Sequence, residues 1–438
     1  MSNEHKLMSG ITRRGLLKGA TAVGALPLVQ ACSNAGVKGT ADGRVVVIGG
    51  GFGGATAAKY LKRGNANLDV TLIEPAEVFY TCPFSNLYLG GIREMDQIAH
   101  NYNELRDVYG VTVIHQMAED VDAEKRTVTL ADGTQVMYDK LIMSPGIDMR
   151  WNDIEGYDEA AAQLVPHAWQ AGDQTRLLRQ QLEAMPDGET FVMVAPPNPY
   201  RCPPGPYERA SLIAHYFSVH KPNSKILILD PKDSFSKQGL FTAAWQELYG
   251  ERIEWVGLSN DGRVLRVDAQ RRQVETEFGT VHQAGVLNVI PPQKAGWIAD
   301  RAGVTDSSGW VPVELTTFKA TQTDDIYVVG DATIASPMPK SGFSASSQAK
   351  VAAAAIVAEL AGEAPSKAFF TNTCYSLVGP EYGISVAGIY RENDQGEVET
   401  TSSGLSPADA DASVRALEAQ YARGWYSAIS QDSWGTEF

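Results

Sequence analysis

The chain has 438 residues, 44% of them hydrophobic and 20% charged, with 41 glycines. That is ordinary globular composition, which argues against disorder over most of the length, and it is long enough for two or three domains. The formal charge is −15, and removing the four basic and one acidic groups of the first 35 residues leaves −18; such a surface repels phosphate backbones and argues against nucleic acid as a partner, whereas a basic protein would be steered toward it.

The N-terminus reads as an address. Residues 12–18 are TRRGLLK, and a weakly apolar run of 13 residues follows from Gly19 to Ala31, too short to cross a bilayer. Paired arginines before a mild apolar stretch resemble a twin-arginine export signal, so residues 1–35 are expected to direct a folded protein to the periplasm. LVQAC at 28–32 also fits lipidation of Cys32, and cleavage near Ala31 or Ala35 fits equally. A small-residue tether of roughly 33–43 leads into the fold. The four cysteines are Cys32, Cys82, Cys202 and Cys374. Export permits disulfides, and if Cys32 is lost or lipidated three remain, which leaves three pairings and one cysteine with another job.

Arg44–Ile48 is expected to be a buried parallel strand. Gly49, Gly51 and Gly54 then supply G-x-G-x-x-G: a tight turn, a close backbone approach to a pyrophosphate, and close packing of helix on strand. The helix from about Ala55 to Arg63 points its N-terminal amides at phosphates. A second strand near Val70–Ile73 ends in Glu74, 20 residues past Gly54, where a carboxylate accepts ribose hydroxyls. Strand, turn, helix, strand and acid in register predict a dinucleotide site without distinguishing FAD from NAD.

Further along, Lys140–Met143 reads as a strand entering the small-residue turn Ser144-Pro145-Gly146. Thr190–Ala195, a helix over about Tyr207–His220 and a strand Lys225–Leu229 ending in Asp230 repeat the first plan. The turn between them, residues 196–206, reads PPNPYRCPPGP: six of its eleven residues are proline and only Gly205 is glycine. Proline has no backbone N–H and cannot help to form an anion nest, so this turn is not expected to bind a nicotinamide dinucleotide. Cys202 stands there instead. Strand Ile326–Val329 then runs into Gly330-Asp331, and an Ala-rich helix follows from about Phe343 to Leu360.

This last pattern resembles the second FAD fingerprint of the glutathione-reductase-like flavoproteins. The resemblance implies that Asp331 binds the ribityl chain and that the following helix aims its N-terminus at the flavin pyrimidine edge. The expected fold is α/β, with two Rossmann-like dinucleotide-binding domains plus a smaller α+β C-terminal domain. Residues 1–35 are the expected signal segment. The FAD-binding domain is expected in two stretches, 44–150 and 296–362, on either side of a second Rossmann-like domain at 151–295 that lacks a nicotinamide motif. Residues 363–438 form the expected C-terminal interface domain.

YTCPFSN (80–86), PHAWQAGDQT (166–175), RCPPGPYERAS (201–211), PMPKSGFSASSQAKVAAAA (337–355) and NTCYS (372–376) together resemble the flavoprotein subunit of flavocytochrome c sulfide dehydrogenase, from about residue 44 to the C-terminus. The resemblance implies a covalent bond from Cys82 to FAD, a redox-active disulfide between Cys202 and Cys374, and an active-site acid at Glu208. It implies oxidation of sulfide to sulfane sulfur or polysulfide, with electrons passing through FAD to a c-type cytochrome subunit. The sequence contains no C-x-x-C-H for haem attachment, and its seven histidines are scattered and suggest no metal site. Tyr421, Trp425, Tyr426 and Trp434 near the C-terminus fit either cytochrome docking or ordinary core. Rival readings are a sulfide:quinone oxidoreductase on a membrane, a flavin-bearing electron-transfer subunit without turnover, and a NADH-dependent reductase. The first lacks an apolar amphipathic anchor, although a lipidated Cys32 would supply one; the proline turn disfavours the last.

Overall fold

A computed structural model describes residues 41–435; the expected export segment and Cys32 lie outside the described residues. The chain enters the fold as β1 (Arg44–Ile48), whose Val-Val-Val-Ile run is buried. The turn at Gly49 leads to α1 (Phe52–Gly64), and the chain returns as β2 (Asp69–Ile73) in parallel register with β1, Val45 opposite Val70 and Val47 opposite Leu72. β3 (Thr112–Ile114) extends this sheet on one side and β4 (Lys140–Met143) on the other.

The second lobe repeats the plan with β5 (Thr190–Val194), α2 (Gly205–His220), β6 (Lys225–Leu229), α3 (Gln238–Tyr249), β7 (Ile253–Val256) and β8 (Val286–Val289). Its parallel sheet has the order β7-β6-β5-β8. Two crossing strands, Ile147–Met149 and Gln293–Ala295, pair antiparallel and carry the chain into and out of this lobe.

The chain then returns to the first sheet as β9 (Ile326–Val328) beside β4, completing the order β9-β4-β1-β2-β3. α4 (Gly342–Leu360) follows and packs on α1. The contact is built from small side chains: Ala55, Ala57 and Ala58 on one helix, and Ala349, Ala352 and Ala353 on the other, all buried. Alanine on both faces gives up side-chain area and lets two helix backbones approach closely over the sheet.

A three-stranded antiparallel sheet, β10 (Phe369–Gly379), β11 (Tyr382–Glu392) and β12 (Val398–Leu405), precedes the final helix α5 (Ala412–Trp434). Asp411 caps α5 by accepting the Ser413 and Val414 amides. Gly383 is where α5 crosses β11: a Cβ there would lie 2.4 Å from the Ala419 nitrogen. The far end of α5 is clamped onto α1, with Lys59 Nζ donating to the carbonyls of Gln431 and Gly435 at 3.2 and 2.9 Å. A buried ammonium at a helix C-terminus satisfies orphan carbonyls and complements the helix dipole.

Of the two alternatives, this packing favours ordinary core for most of the C-terminal aromatics. Tyr426 and Trp434 are 4% and 3% exposed. Trp425 lines an internal cavity, and only Tyr421, 52% exposed, faces outward. The reason is the close seat of α5 on β11 and α1, which turns that face of the helix inward. Among the described residues, no helix is long and apolar enough to cross a membrane.

Candidate active site

A cavity of about 380 Å³ lies between the first sheet, the proline turn and β10. It brings together every residue that the sequence marked for catalysis or FAD binding except Gly54, which sits behind the turn that forms one wall. Gly54 is there for packing: a Cβ at that position would fall 1.7 Å from the Gly49 carbonyl oxygen. Gly49 itself has φ +95°, in the region that glycine tolerates. Glu74 closes the turn from beside it. Its Oε2 accepts the Gly50 amide at 2.8 Å, and its Oε1 accepts Ala76 at 2.9 Å. Trp434 donates its indole N–H to the Gly50 carbonyl at 3.1 Å, so α5 covers the turn from above.

The opposite wall fits a flavin nucleotide. Gly330 has φ +81°, and its amide is held by Gln348 Oε1 at 2.8 Å. Asp331 then turns into the cavity with Oδ1 buried and without a partner, an acceptor waiting for a hydroxyl donor. Burial raises its carboxyl above the usual range, although the Arg201 and Lys340 charges oppose the rise. The N-terminus of α4, capped by Ser341 Oγ on the Ser344 amide at 3.0 Å, opens onto the same space. An orphaned acceptor, a glycine cradle and a helix N-terminus are what an FAD needs from a protein. The Gly49–Gly51 turn would hold its pyrophosphate, Gly330 and Asp331 its ribityl chain, and Glu74 its ribose.

Three thiols face this space. Cys82 precedes the short helix Ser85–Leu89, with Sγ 3.3 Å from the Trp169 carbonyl. Cys202 has φ +59°, and its amide donates to the Lys340 carbonyl at 2.8 Å, which pins the proline turn against the approach to α4. Cys374 lies on β10. All three are thiols in this structure. Cys202 and Cys374 line one cavity, and the Cys374 charge acts on Cys202. Burial pushes the Cys202 thiol well above its ordinary value, and Cys374 and Glu208 add to the rise. Burial raises Cys374 as well, but the Lys237 charge opposes it.

Glu208, in the first turn of α2, is no solvated helix-end carboxylate. Its exposed surface faces the cavity, its Oε1 accepts the Leu377 amide at 2.9 Å and its Oε2 accepts Asn86 Nδ2 at 2.9 Å. Burial raises its carboxyl above the ordinary range against the opposing pull of those donors and of Lys237 and Arg209.

Three residues here escaped sequence reasoning. Asn86 accepts from Arg209 Nε at 3.2 Å while donating to Glu208, so one amide orients both charges. Arg209 is 1% exposed and spends its remaining donors on the His167 and Ala168 carbonyls and Asn288 Oδ1. Lys237 is 6% exposed and donates to Ser376 Oγ at 2.8 Å. Asn86 and Arg209 stood inside YTCPFSN and RCPPGPYERAS, next to residues already marked. Lys237 lies in an ordinary polar loop sequence and carried no signal.

The second lobe differs at the equivalent place. Asp230 ends β6 as Glu74 ends β2, but it is fully buried and already paired. Tyr207, Trp255 and Lys232 donate to it at 2.6, 3.0 and 2.6 Å. The Tyr207 and Phe235 rings stack 3.6 Å apart over the same turn. The space that a second dinucleotide would need is filled with the chain's own aromatic core.

Comparison with known proteins agrees with this geometry. Residues 175–291 match the central domain of the sulfide dehydrogenase [flavocytochrome c] flavoprotein chain, residues 366–434 match the flavin-binding domain of flavocytochrome c sulphide dehydrogenase, and residues 43–192 match the pyridine nucleotide-disulphide oxidoreductase family. A sulfide dehydrogenase [flavocytochrome c] flavoprotein chain of Chlorobaculum thiosulfatiphilum is 63% identical over 43 residues, 10% of this chain and 90% of that sequence. The mitochondrial sulfide:quinone oxidoreductase of Mus musculus is 25% identical over 305 residues, 66% of this chain and 65% of that protein, so the chain spans just under two thirds of that relative. The solved structure of the sulfide:quinone oxidoreductase from Aquifex aeolicus superposes with a TM-score of 0.67 at 19% identity, covering 89% of this chain and 92% of that one, which shows a shared fold. With an FAD cradle in the first lobe, a filled second turn and matches across its central and C-terminal regions, the chain belongs to the family of flavocytochrome c sulfide dehydrogenase flavoprotein chains.

Proposed function

We propose that this flavoprotein oxidises sulfide through a disulfide between Cys202 and Cys374 and passes the electrons to a c-type cytochrome subunit. The observation that carries the reading is the meeting of Cys202, Cys374 and Glu208 on the cavity that also holds the FAD cradle. FAD, when bound, supplies a two-electron acceptor that releases electrons one at a time.

The chain's own residues handle the sulfur. A sulfide nucleophile attacks one sulfur of the disulfide, forming a persulfide there and freeing a thiolate on the other cysteine. Glu208, held by Leu377 and Asn86, takes one proton from H2S and so supplies HS⁻ as the nucleophile. Its raised proton affinity makes it a stronger base than an ordinary carboxylate. A second HS⁻ attacks the outer persulfide sulfur, its bond to the cysteine breaks with the electron pair left on that cysteine, and the sulfur leaves as polysulfide; the dithiol left behind holds the two electrons that bound FAD would accept. Cys82, on the cavity wall, is the proposed covalent tether for the flavin. Such a tether suits an exported protein, which cannot replace lost cofactor, and the twin-arginine pattern at Arg13 and Arg14 supports a periplasmic location. Lipidation of Cys32 would add an anchor.

A quinone is the second acceptor to consider, because the mouse relative is a sulfide:quinone oxidoreductase. Anaerobic sulfide titration followed by an acceptor separates the readings. Sulfide should bleach the flavin absorbance, and cytochrome c should then restore it faster than a short-chain quinone. Faster recovery with quinone would replace the cytochrome; a flavin that sulfide leaves oxidised would remove the function altogether.

A further inference from the structure

Two buried cations without carboxylate partners stand beside the thiols, and they are not placed symmetrically. Arg209 is consumed by Asn86, Asn288 and two carbonyls. Lys237 caps α3 in a left-handed conformation, φ +62°, which turns its side chain toward β10. There Nζ donates to Ser376 Oγ at 2.8 Å and to the Cys374 carbonyl at 3.3 Å, and no carboxylate pairs with it among the described residues. Its charge acts on Cys374 first, then on Glu208, Cys202 and Glu418.

Cys202 has weaker support: the Arg201 charge lowers its thiol, but comes last among the causes, behind burial, Cys374, Glu208 and Cys82, which all raise it. It precedes the N-terminus of α2, which would ordinarily favour a thiolate. Most donors of that terminus are missing or spent: Pro203, Pro204 and Pro206 have no N–H, the Gly205 amide bonds to the Cys202 carbonyl, and the Glu208 amide bonds to the Pro204 carbonyl. The neighbouring Arg201 donates to the Trp169 carbonyl and lies 4.0 Å from Asp331. The Glu208 carboxylate stands near both sulfurs.

We propose that Lys237 is a positioning residue that sets the polarity of the cysteine pair, holding the Cys374 sulfur as the leaving thiolate and directing the substrate sulfur onto Cys202. In a disulfide under attack, the sulfur that better carries negative charge departs. With HS⁻ as the nucleophile, a bond forms between the substrate sulfur and Cys202 Sγ. The bond between Cys202 and Cys374 breaks, and its electron pair goes to Cys374 Sγ. The substrate keeps its hydrogen in the persulfide, and the negative charge passes from substrate to Cys374. The substrate sulfur is oxidised by one level and the Cys374 sulfur reduced by one. The identity of the substrate rests on the function proposed above; the charge asymmetry belongs to the reduced protein alone.

The test is site-resolved alkylation of the holoenzyme, reduced with a phosphine and pulsed with iodoacetamide across pH, with each cysteine read by mass spectrometry. In the wild-type protein Cys374 should react at lower pH than Cys202. Lys237→Gln, which can still donate to Ser376 but carries no charge, should shift the Cys374 profile up by about one pH unit or more, roughly a tenfold slowing near neutrality, and shift Cys202 less. Lys237→Arg should restore the profile. A wild-type protein in which Cys202 reacts first, or a folded, flavin-loaded Lys237→Gln protein with an unshifted Cys374, would overturn the proposal. If Lys237→Gln does not fold, the wild-type order still decides. Because labelling uses no sulfide, the expected order together with a flavin that sulfide cannot bleach would count against the substrate and leave the polarity standing.

Discussion

The Leu377 amide donates to Glu208 Oε1 at 2.9 Å, so the helix that follows Cys202 and the strand that carries Cys374 meet through one carboxylate. Asn86 holds the other oxygen of that carboxylate and passes its own oxygen to Arg209. Glu208 is thereby fixed from β10 on one side and from the segment after Cys82 on the other.

Asn86→Ala should leave Glu208 Oε2 and Arg209 Nε short of a partner. We expect a stability loss of about 1–3 kcal/mol. Flavin reduction by sulfide should slow by about tenfold to a hundredfold as the acid loses its position. Denaturant unfolding and rapid mixing measure the two effects separately.

Arg209→Leu should be more damaging. It strands the Ala168 carbonyl and two asparagine oxygens in the interior, leaves the His167 carbonyl with Asn288 Nδ2 alone, and removes the contact with the Trp169 ring. The expected cost is about 3–5 kcal/mol by urea unfolding. Arg209→Lys should recover only a fraction of this, because an ammonium cannot reproduce the planar fork.

His167 predicts a pH dependence. Its ring is 5% exposed, accepts the Trp169 amide at Nδ1 and is pushed down from 6.5 to about 3, chiefly by burial and then by the Arg209 and Arg201 charges. A depressed histidine contributes stability that is present above pH 6.5 and lost as the pH falls toward about 3, because the unfolded chain takes up the proton first. Between pH 6.5 and 4.5 the wild-type protein should therefore lose about 2 kcal/mol more than His167→Asn, which keeps an acceptor for the Trp169 amide. Unfolding curves at the two pH values give the difference.

Cys82→Ser tests the tether without disturbing the cradle. Acid precipitation should leave the flavin with the wild-type protein and release it from the variant. Flavin released from both would end the covalent assignment.

How far the sequence could be read follows from how local each signal is. The Gly49 turn, Glu74 and the Gly330-Asp331 step are set by neighbours within a few residues, and each lies on the cavity as expected. Strand Lys140–Met143 has the bounds that its apolar run gives. The proline turn showed a missing nicotinamide motif, yet not that Tyr207, Phe235 and Trp255 would pack together there, since those rings come from three separate segments. Lys237 was invisible for the same reason: its role depends on a left-handed cap that delivers it to a strand more than a hundred residues away. Trp434 could be read as docking or core because nothing near it in sequence reveals the Gly50 carbonyl that it covers.

The central claim is that the Cys202–Cys374 pair, beside Glu208, couples sulfide to the flavin. Rapid mixing of oxidised protein with sulfide, following flavin absorbance, tests it most directly. Bleaching should be fast in the wild-type protein and absent in Cys202→Ser that retains its flavin; fast bleaching in that variant would contradict the claim.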